Sequence, residues 1–390
     1  MSIKKNIVKK IIAVTGARSD YGHMQAVYKK LIQCPQIDFG LLVCGMHLSP
    51  EFGNTVDMIK KDGYRIDGKV DMLFIGDSQE SMGKSIGVGI LGMVQVLADK
   101  RPDTVIVFGD RTEAFAGAIT AAYMNIPLVH VQGGDAVQGS NIDDSVRYAI
   151  TKLAHIHFTA TKKHAERIEG LGEERWRIHI SGSPGLDTIF QMKFLSKKFL
   201  KKKCNISFNK KLMLVLQHPT TISYDKAYNE MRTTLEAVRE FDSEVVVIYP
   251  NSDAGSKVII RAINEYSKFK NIHIYKNLPY LDFLSLLRQA DVLVGNSSSG
   301  IIEAPSFKLP VINIGLRQRG REHADNIIDV DHNKKQIVSA IRTAFYDEDF
   351  LRRVEKCVNP YGDGKAADRI VKVLSEIRIN RRLLQKKITY

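Results

Sequence analysis

One segment of the chain has the composition of a ligand site. Gly295-Asn296-Ser297-Ser298-Ser299-Gly300-Ile301-Ile302-Glu303-Ala304 sets a polar, glycine-bracketed turn behind an apolar run and then opens a helix. Amides and hydroxyls at a helix start form a cradle for an anion. Glu303 falls one turn into that helix, placed to accept hydrogen bonds from vicinal hydroxyls such as those of a ribose. Phosphate on the turn and ribose on the acid would together hold a nucleoside diphosphate.

Elsewhere, acids and bases recur directly behind apolar runs. Residues 104–108 end in Gly109-Asp110-Arg111, and 128–131 end in Gln132-Gly133-Gly134-Asp135. Asn141-Ile142-Asp143-Asp144-Ser145 then opens a helix containing Arg147. Carboxylates on adjacent strand ends suit proton transfer, which needs acids whose surroundings push their pKa values apart. For Asp143 or Asp144 a plain N-cap is the simpler reading. After 11–15 comes Gly16-Ala17-Arg18, a turn without GxGxxG, which argues against a dinucleotide fold. A helix start with Arg18 still suits a phosphate. Residues 212–217 lead into His218, able to bind phosphate or to shuttle a proton.

Other candidates fail on spacing. Gly83-Lys84-Ser85 ends like a P-loop, but Ser78 stands where its first glycine is needed. His155 and His157 flank Ile156 without acidic neighbours, so no metal site is expected there. Cys34, Cys44, Cys204 and Cys357 form no CxxC and are too sparse for a disulfide scaffold, which suggests a reduced, intracellular protein.

The elements that must position these groups alternate in type. Short β-branched runs at 11–15, 41–44, 104–108, 128–131, 212–217, 244–249, 272–275, 292–294 and 311–314 are separated by helix-period segments. That pattern predicts an α/β fold of parallel sheets covered on both faces, with ligands outside the carboxyl ends of the strands. The 390 residues are expected to divide into a domain over 1–190, a basic linker over 191–211, a second domain over 212–363, and a long terminal helix within 364–390.

A net charge of +14 raises nucleic acid as a partner. The excess lies in three stretches, 1–10, 188–211 and 377–390, and leaves the rest of the chain slightly acidic. No helix-turn-helix, zinc or RNA-recognition signature accompanies it, so nucleic acid is set aside. The start has lysines but no apolar h-region, and no apolar run approaches the ~20 residues of a spanning helix. A cytoplasmic protein without a membrane partner is expected.

The segments TGARSDYG, FGDR, HVQGGD, IDDSVRYAITKLAHIHF, YPNSDAGS, GNSSSGIIEAPSF and INIGLRQRGR, in that order, give a resemblance over nearly the whole chain. It resembles the hydrolysing UDP-N-acetylglucosamine 2-epimerase family, which supplies N-acetylmannosamine for sialic-acid synthesis. By extension it resembles the hydrolysing nucleotide-diacetylbacillosamine 2-epimerases of legionaminic-acid pathways. The resemblance implies a GT-B architecture, with two Rossmann-like domains facing each other across a cleft and the C-terminal helix packing back on the first. It implies elimination of UDP across C1–C2 to a 2-acetamidoglucal, then addition of water with inversion at C2. Neither metal nor cofactor is implied, and the assembly implied is a homodimer or homotetramer.

Site roles follow from the same resemblance. Ser297, Ser298, Ser299 and Gly300 match the phosphate-binding turn, Glu303 the ribose acid, Arg18 and Arg111 basic positions of the cleft, and Arg317 a position near the nucleotide. Asn251 joins them as a substrate or nucleotide contact. Asp110, Asp143 and His218 match catalytic positions, Asp143 being preferred to Asp144 as the first of the pair. Many members carry a catalytic Glu where this chain has Gln132, and an amide is no general acid or base. Either Asp135 takes over proton transfer, or sugar specificity differs at this spot, with Gln132 a substrate contact. The leading expectation is UDP-N-acetylglucosamine as substrate. The alternatives are UDP- or GDP-N,N'-diacetylbacillosamine and a non-hydrolysing UDP-N-acetylglucosamine 2-epimerase; more distant rivals are a glycosyltransferase and an inactive sugar-nucleotide sensor.

Overall fold

The computed structural model describes residues 8–50, 53–74, 79–136, 142–219, 226–250 and 255–390. They divide into two compact units. The first holds the chain up to Asp135, Ile142–Phe190 and Tyr361–Tyr390, and the second holds Gln191–Pro360.

In the first unit, β1 (Lys9–Thr15), β2 (Ile37–Cys44), β3 (Ile66–Val70), β4 (Thr104–Phe108), β5 (Leu128–Val131), β6 (Ile156–Thr159) and β7 (Ile178–Ile180) form one parallel sheet. Its order is β3-β2-β1-β4-β5-β6-β7. Successive residues of a strand point to opposite faces. Ile11 and Ala13 therefore join one core, with Tyr21, Met24 and Leu31 of the helix Arg18–Gln33. Ile12 and Val14 join another, with Met93, Leu97 and Ala118. The order reverses between β1 and β4, where a parallel sheet opens its ligand crevice.

The second unit repeats the plan. Here β8 (Lys211–Leu216), β9 (Ser243–Ile248), β10 (Ile272–Tyr275), β11 (Val292–Gly295), β12 (Val311–Ile314) and β13 (Ile327–Val330) pair in parallel, in the order β10-β9-β8-β11-β12-β13. The reversal lies between β8 and β11. Two Rossmann-like units of this kind are the domains of a GT-B fold.

Three segments differ from their expected form. Residues 191–211, expected as a basic linker, contain the helix Lys197–Cys204 and count with the second unit. Leu200 and Cys204 bury one side of that helix, and its lysines stand exposed on the other. The single long terminal helix is instead two, Ala366–Glu376 and Arg381–Leu384. The first places Ala367, Ile370 and Leu374 in the core beside Arg18–Gln33, its opening amides taken by the buried carboxylate of Asp187 at 2.9 and 2.7 Å. Fully buried Arg177 donates to the carbonyls of Arg382, Leu383 and Gln385 behind the second. Lys386 reaches buried Glu173 at 2.8 Å, which Lys152 meets at 2.8 Å and His157 at 3.3 Å. Burial would lift the Glu173 carboxyl, but these three partners hold it down at about 2. Lys386 of the basic terminal stretch thus fastens the chain's end to the first unit, and His157 is a structural partner of Glu173.

The third difference is the helix Gln79–Lys100. By length and composition it is apolar enough to cross a membrane, contrary to the expectation that no stretch is. Lys84 and Gln95 interrupt its apolar run and hide it from a count of consecutive residues. In the fold it lies on β3 and beside the helix Thr112–Tyr123. A Cβ at Gly89 would come 2.7 Å from Met72 and 3.2 Å from Ala116, so the close approach requires glycine there. Gly83-Lys84-Ser85 is part of this helix and forms no loop.

Candidate active site

In the first unit the chemistry gathers behind β1, β4 and β5. Gly16 donates its N–H to Asp20 Oδ2 at 2.9 Å, which closes the turn into Arg18–Gln33. Burial pushes the Asp20 carboxyl up to about 6, against the pull of Arg111. Arg18 is exposed at the helix start. Arg111, behind β4, is held by buried Glu113, with Nε 3.3 Å from Oε2 and Nη2 3.3 Å from Oε1. Its guanidinium is therefore aimed before any ligand arrives.

Arg147, on the helix Ile142–Leu153, is the hub of this region. It is buried, ion-paired to both Asp110 and Asp144, and donates to the Asp135 backbone carbonyl at 3.0 Å. Burial works against its charge, but Asp110, Asp135 and Asp144 outweigh burial and push its pKa further up. Asp135 is itself buried, its Oδ1 3.4 Å from His164 Nε2. Three carboxylates from separate segments thus surround one guanidinium. Asp143, the expected catalytic partner, stands exposed in the helix's first turn, one residue before the Asp144 that pairs with Arg147. Neither residue is the N-cap that the simpler reading suggested, since both lie inside the helix.

Gln132 follows β5 in a left-handed conformation, φ 71°, which is uncommon for a residue with a side chain. Its N–H donates to the Phe158 carbonyl at 2.8 Å, and its Oε1 accepts from Ser183 Oγ at 3.4 Å. Beneath it lies His130. A carbonyl can only accept, so the 2.9 Å contact to Gly109 O makes Nε2 the donor and leaves Nδ1 to accept from Thr151 at 3.3 Å. Burial lowers the His130 pKa to about 3, in keeping with a neutral ring. It ties the β4 end, and hence Asp110, to the β5 end.

In the second unit β8 and β11 end side by side at the reversal. Asn296 clamps His218 by its backbone: Oδ1 accepts the His218 N–H at 2.7 Å and Nδ2 donates to its carbonyl at 2.9 Å. Gly295, φ 138°, is obligatory here, because a Cβ would lie 2.1 Å from the Leu216 carbonyl oxygen. Arg317 and Gln318 donate to the Asn296 carbonyl at 3.0 and 3.1 Å. Ser297 caps the short helix Ser298–Ile302, its Oγ accepting from Ser299 N–H at 3.3 Å, while Gly300 is buried.

Glu303 closes that helix and is almost wholly buried. Burial pushes its carboxyl up to about 7, against a hydrogen bond from Ser299. Its Oε2 and the hydroxyl of Tyr280 are both buried without a hydrogen-bond partner among the described residues. Burial and then the charge of Glu303 raise the Tyr280 hydroxyl's pKa. Asn251 lies outside the described residues.

The structure thus brings Asp110 and Asp135 together in the first unit, and His218, Ser297, Ser298, Ser299, Gly300, Glu303 and Arg317 at the strand ends of the second. Sequence reading passed over Arg147, His130, His164, Asn296 and Tyr280 as contributors. Arg147 could have been found from its spacing, three residues after Asp144. The rest are joined only by the fold.

A family model described as UDP-N-acetylglucosamine 2-epimerase matches residues 29–375. The UDP-N,N'-diacetylbacillosamine 2-epimerase (hydrolyzing) of Legionella pneumophila is 38% identical over 98% of this chain and 100% of its own. The GDP/UDP-N,N'-diacetylbacillosamine 2-epimerase (hydrolyzing) of Campylobacter jejuni is 34% identical over 83% of this chain and 85% of its own. Among solved structures, the UDP-GlcNAc 2-epimerase of Neisseria meningitidis bound to UDP-GlcNAc has the same fold, with a TM-score of 0.80 at 21% identity over 94% of this chain and 99% of that one. Paired carboxylates behind one sheet and a serine-rich turn with a buried acid behind the other are thus found in a chain that belongs to the UDP-N-acetylglucosamine 2-epimerase family, among its hydrolysing members.

Proposed function

We propose that the protein is a hydrolysing 2-epimerase of UDP-N,N'-diacetylbacillosamine, releasing UDP and the free 2-epimeric sugar. The observation that carries this choice over UDP-N-acetylglucosamine is the likeness along 98% of the chain to an enzyme named for that substrate. The amide of Gln132 supports it too. A primary amide can donate to and accept from an acetamido group at once, and this sugar carries two. The same reading includes an assembly of two or four copies.

The roles follow from the geometry of each unit. In the second, the amides and hydroxyls of Ser297, Ser298, Ser299 and Gly300, with His218 and Arg317, take the diphosphate. Glu303 accepts from the ribose hydroxyls, which supply the donors its buried Oε2 lacks. In the first, a carboxylate removes the C2 proton while the C1–O bond breaks and its electron pair leaves with UDP. The C2 carbanion's pair becomes the C1–C2 double bond. Water then adds its oxygen at C1, and C2 is reprotonated from the opposite face. Asp110, a quarter exposed, and exposed Asp143 are the proton carriers. Asp135, buried against His164, supports them through the Arg147 network. Arg18 and Arg111 offset the charge growing on the leaving group.

The test follows both nucleotide sugars in D₂O by proton NMR. UDP-N,N'-diacetylbacillosamine should give free UDP and the 2-epimer deuterated at C2, with UDP-N-acetylglucosamine turned over far more slowly. Turnover of UDP-N-acetylglucosamine alone would reverse the substrate assignment. Two intact epimeric nucleotide sugars would exclude hydrolysis.

A further inference from the structure

The chain closes on RRLLQKKITY, and one of the basic side chains in that segment is drawn inward. Lys386 is 19% exposed at its side chain, whereas Arg381, Arg382 and Lys387 stand exposed. A buried ammonium is costly unless it is paired and hydrogen-bonded. Its partners are Glu173 at 2.8 Å and the carbonyls of Thr151 and Lys152 at 3.3 and 2.7 Å. Those two carbonyls belong to the last turn of the helix Ile142–Leu153, where the backbone has acceptors without intrahelical donors and a cation is favoured. Lys386 is thus a cap supplied from the far end of the chain. Fastening the tail does not account for it. Arg177 holds the carbonyls of Arg382, Leu383 and Gln385 on one side of Lys386. On the other, the Thr389 N–H donates to the Gly172 carbonyl at 3.2 Å. The tail is held on both sides without the ammonium, so what the ammonium adds falls on the helix.

That helix leads to the carboxylates. Arg147, one turn before Thr151 on the same face, is ion-paired to Asp110 and Asp144. A second route runs through the Thr151 side chain. Its hydroxyl donates to His130 Nδ1 at 3.3 Å, and His130 Nε2 donates to the Gly109 carbonyl at 2.9 Å. Gly109 immediately precedes Asp110. Both partners of the Arg147–Asp110 pair are therefore reached from the turn that Lys386 caps, one through the helix and the other through two hydrogen bonds. A displacement of about 1 Å far from the chemistry can lower a rate about a hundredfold, so a cap on that turn bears on turnover.

We propose that Lys386 is a positioning residue for proton transfer: by capping the helix Ile142–Leu153 it holds Arg147, and through it Asp110, in the direction the reaction needs. This role presupposes Asp110 as a proton carrier of the proposed reaction. Glu173, Lys152, His155, His157 and Arg177 are the charged and titratable groups around the ammonium. Burial lowers the Lys386 pKa to about 8 against the pull of Glu173, and Lys152 and Arg177 add to the fall. Burial also lowers His155 to about 4, and Glu173 is held at about 2, so neither changes charge near pH 8. Burial lowers His157 as well. The cap is charged below about pH 8 and weakens as pH rises through that value.

The experiment compares the full-length wild type with Lys386→Met, which removes the charge, and Lys386→Arg, which keeps it. With UDP-N,N'-diacetylbacillosamine as substrate, Lys386→Met should lower kcat by about 10- to 100-fold and leave KM and UDP affinity unchanged. Lys386→Arg should retain most of the wild-type rate. The wild-type kcat should fall above about pH 8, and that limb should be missing in Lys386→Met and displaced upward in Lys386→Arg. Adding Lys386→Met to Asp110→Asn should slow turnover no further, because the lysine acts through that carboxylate. A normal kcat in Lys386→Met, a loss confined to KM, an equal loss in Lys386→Arg or additive losses in the double variant would each overturn the role. Full activity in Asp110→Asn would instead overturn the assignment of the proton carrier. Amide hydrogen exchange needs no substrate: in Lys386→Met the helix should exchange about tenfold faster from Arg147 onward, and in Lys386→Arg at the wild-type rate. Unchanged exchange in Lys386→Met would remove the cap whichever sugar nucleotide the enzyme takes.

Discussion

At the strand ends of the first unit, most charges answer one another, Asp20 Oδ1 being the buried exception among the described residues. Arg147 takes Asp110 and Asp144, Arg111 takes Glu113, and Asp135 lies against His164. At the strand ends of the second, Glu303 Oε2 and the Tyr280 hydroxyl are buried and unanswered among the described residues. A buried polar group without a partner costs about 1–3 kcal/mol. A ligand would complete groups left in that condition, and in the proposed reading the second unit therefore binds the nucleotide. The proton transfer proposed for the first unit needs carboxylates whose charge and direction are set beforehand, and the guanidinium of Arg147 sets those of Asp110 and Asp144. The two Rossmann-like units share a plan and differ in where their charge is neutralised.

The largest effect that would sharpen this contrast is on turnover. Asp110→Asn should lower kcat by about 10³, within the usual range for a positioned proton carrier. Asp144 still compensates Arg147 in that variant, so UDP affinity and the melting transition should hold nearly constant in calorimetry. Loss of UDP binding instead would erase the distinction between the units.

Glu303→Gln should do the reverse, weakening UDP by about 10- to 100-fold, the worth of hydrogen bonds to a charged group. Titration calorimetry reads it, and unchanged affinity would remove Glu303 from the nucleotide. The smallest effect concerns pH. The folded Glu303 carboxyl is raised to about 7 from 4.5, so across that window the folded state holds more protons than the unfolded one. Its contribution to stability is therefore lost as pH rises from 4.5 to about 7. Hydroxyl donors favour the carboxylate, so UDP affinity should rise over the same window by less than about tenfold per pH unit. Glu303→Gln should flatten that part of the profile, and an identical profile in the variant would assign the dependence to another group.

Much of the fold was legible because the central strands are apolar runs that leave little choice of structure. Thr104–Phe108 and Leu128–Val131 begin and end where their sequences suggest. The strands that escaped notice, Ile66–Val70, Ile178–Ile180 and Ile327–Val330, lie at or near sheet edges and are only partly buried, so no long apolar run marks them. Asp110 and Glu303 could be singled out because each stands at a fixed offset from such a run. The spacing of Arg147 from Asp144 was legible, but its links to Asp110 and Asp135 were not, because only the fold brings those stretches together. The tie between Tyr280 and Glu303 likewise joins two helices with nothing in local sequence to link them. Asp143 and Asp144 are adjacent in sequence but face different surroundings, and a one-residue difference on a helix is a rotation of about 100°.

The route of the chain at the foot of the first unit has a further consequence. Ser183 donates to the Tyr361 carbonyl at 2.6 Å, the backbones of Gly182 and Gly362 touch, and the Phe190 ring lies against Gly364. The chain thus leaves the first unit and re-enters it at nearly one point. To the first unit, Gln191–Pro360 is a loop of about 170 residues. The entropy of closing a loop grows only as the logarithm of its length, about 0.6 kcal/mol for each doubling. Insertions and deletions within the second unit therefore scarcely register in the stability of its companion. Evolution can enlarge, trim or exchange one half while the fastening at Asp187, Arg177 and Glu173 keeps the other in register.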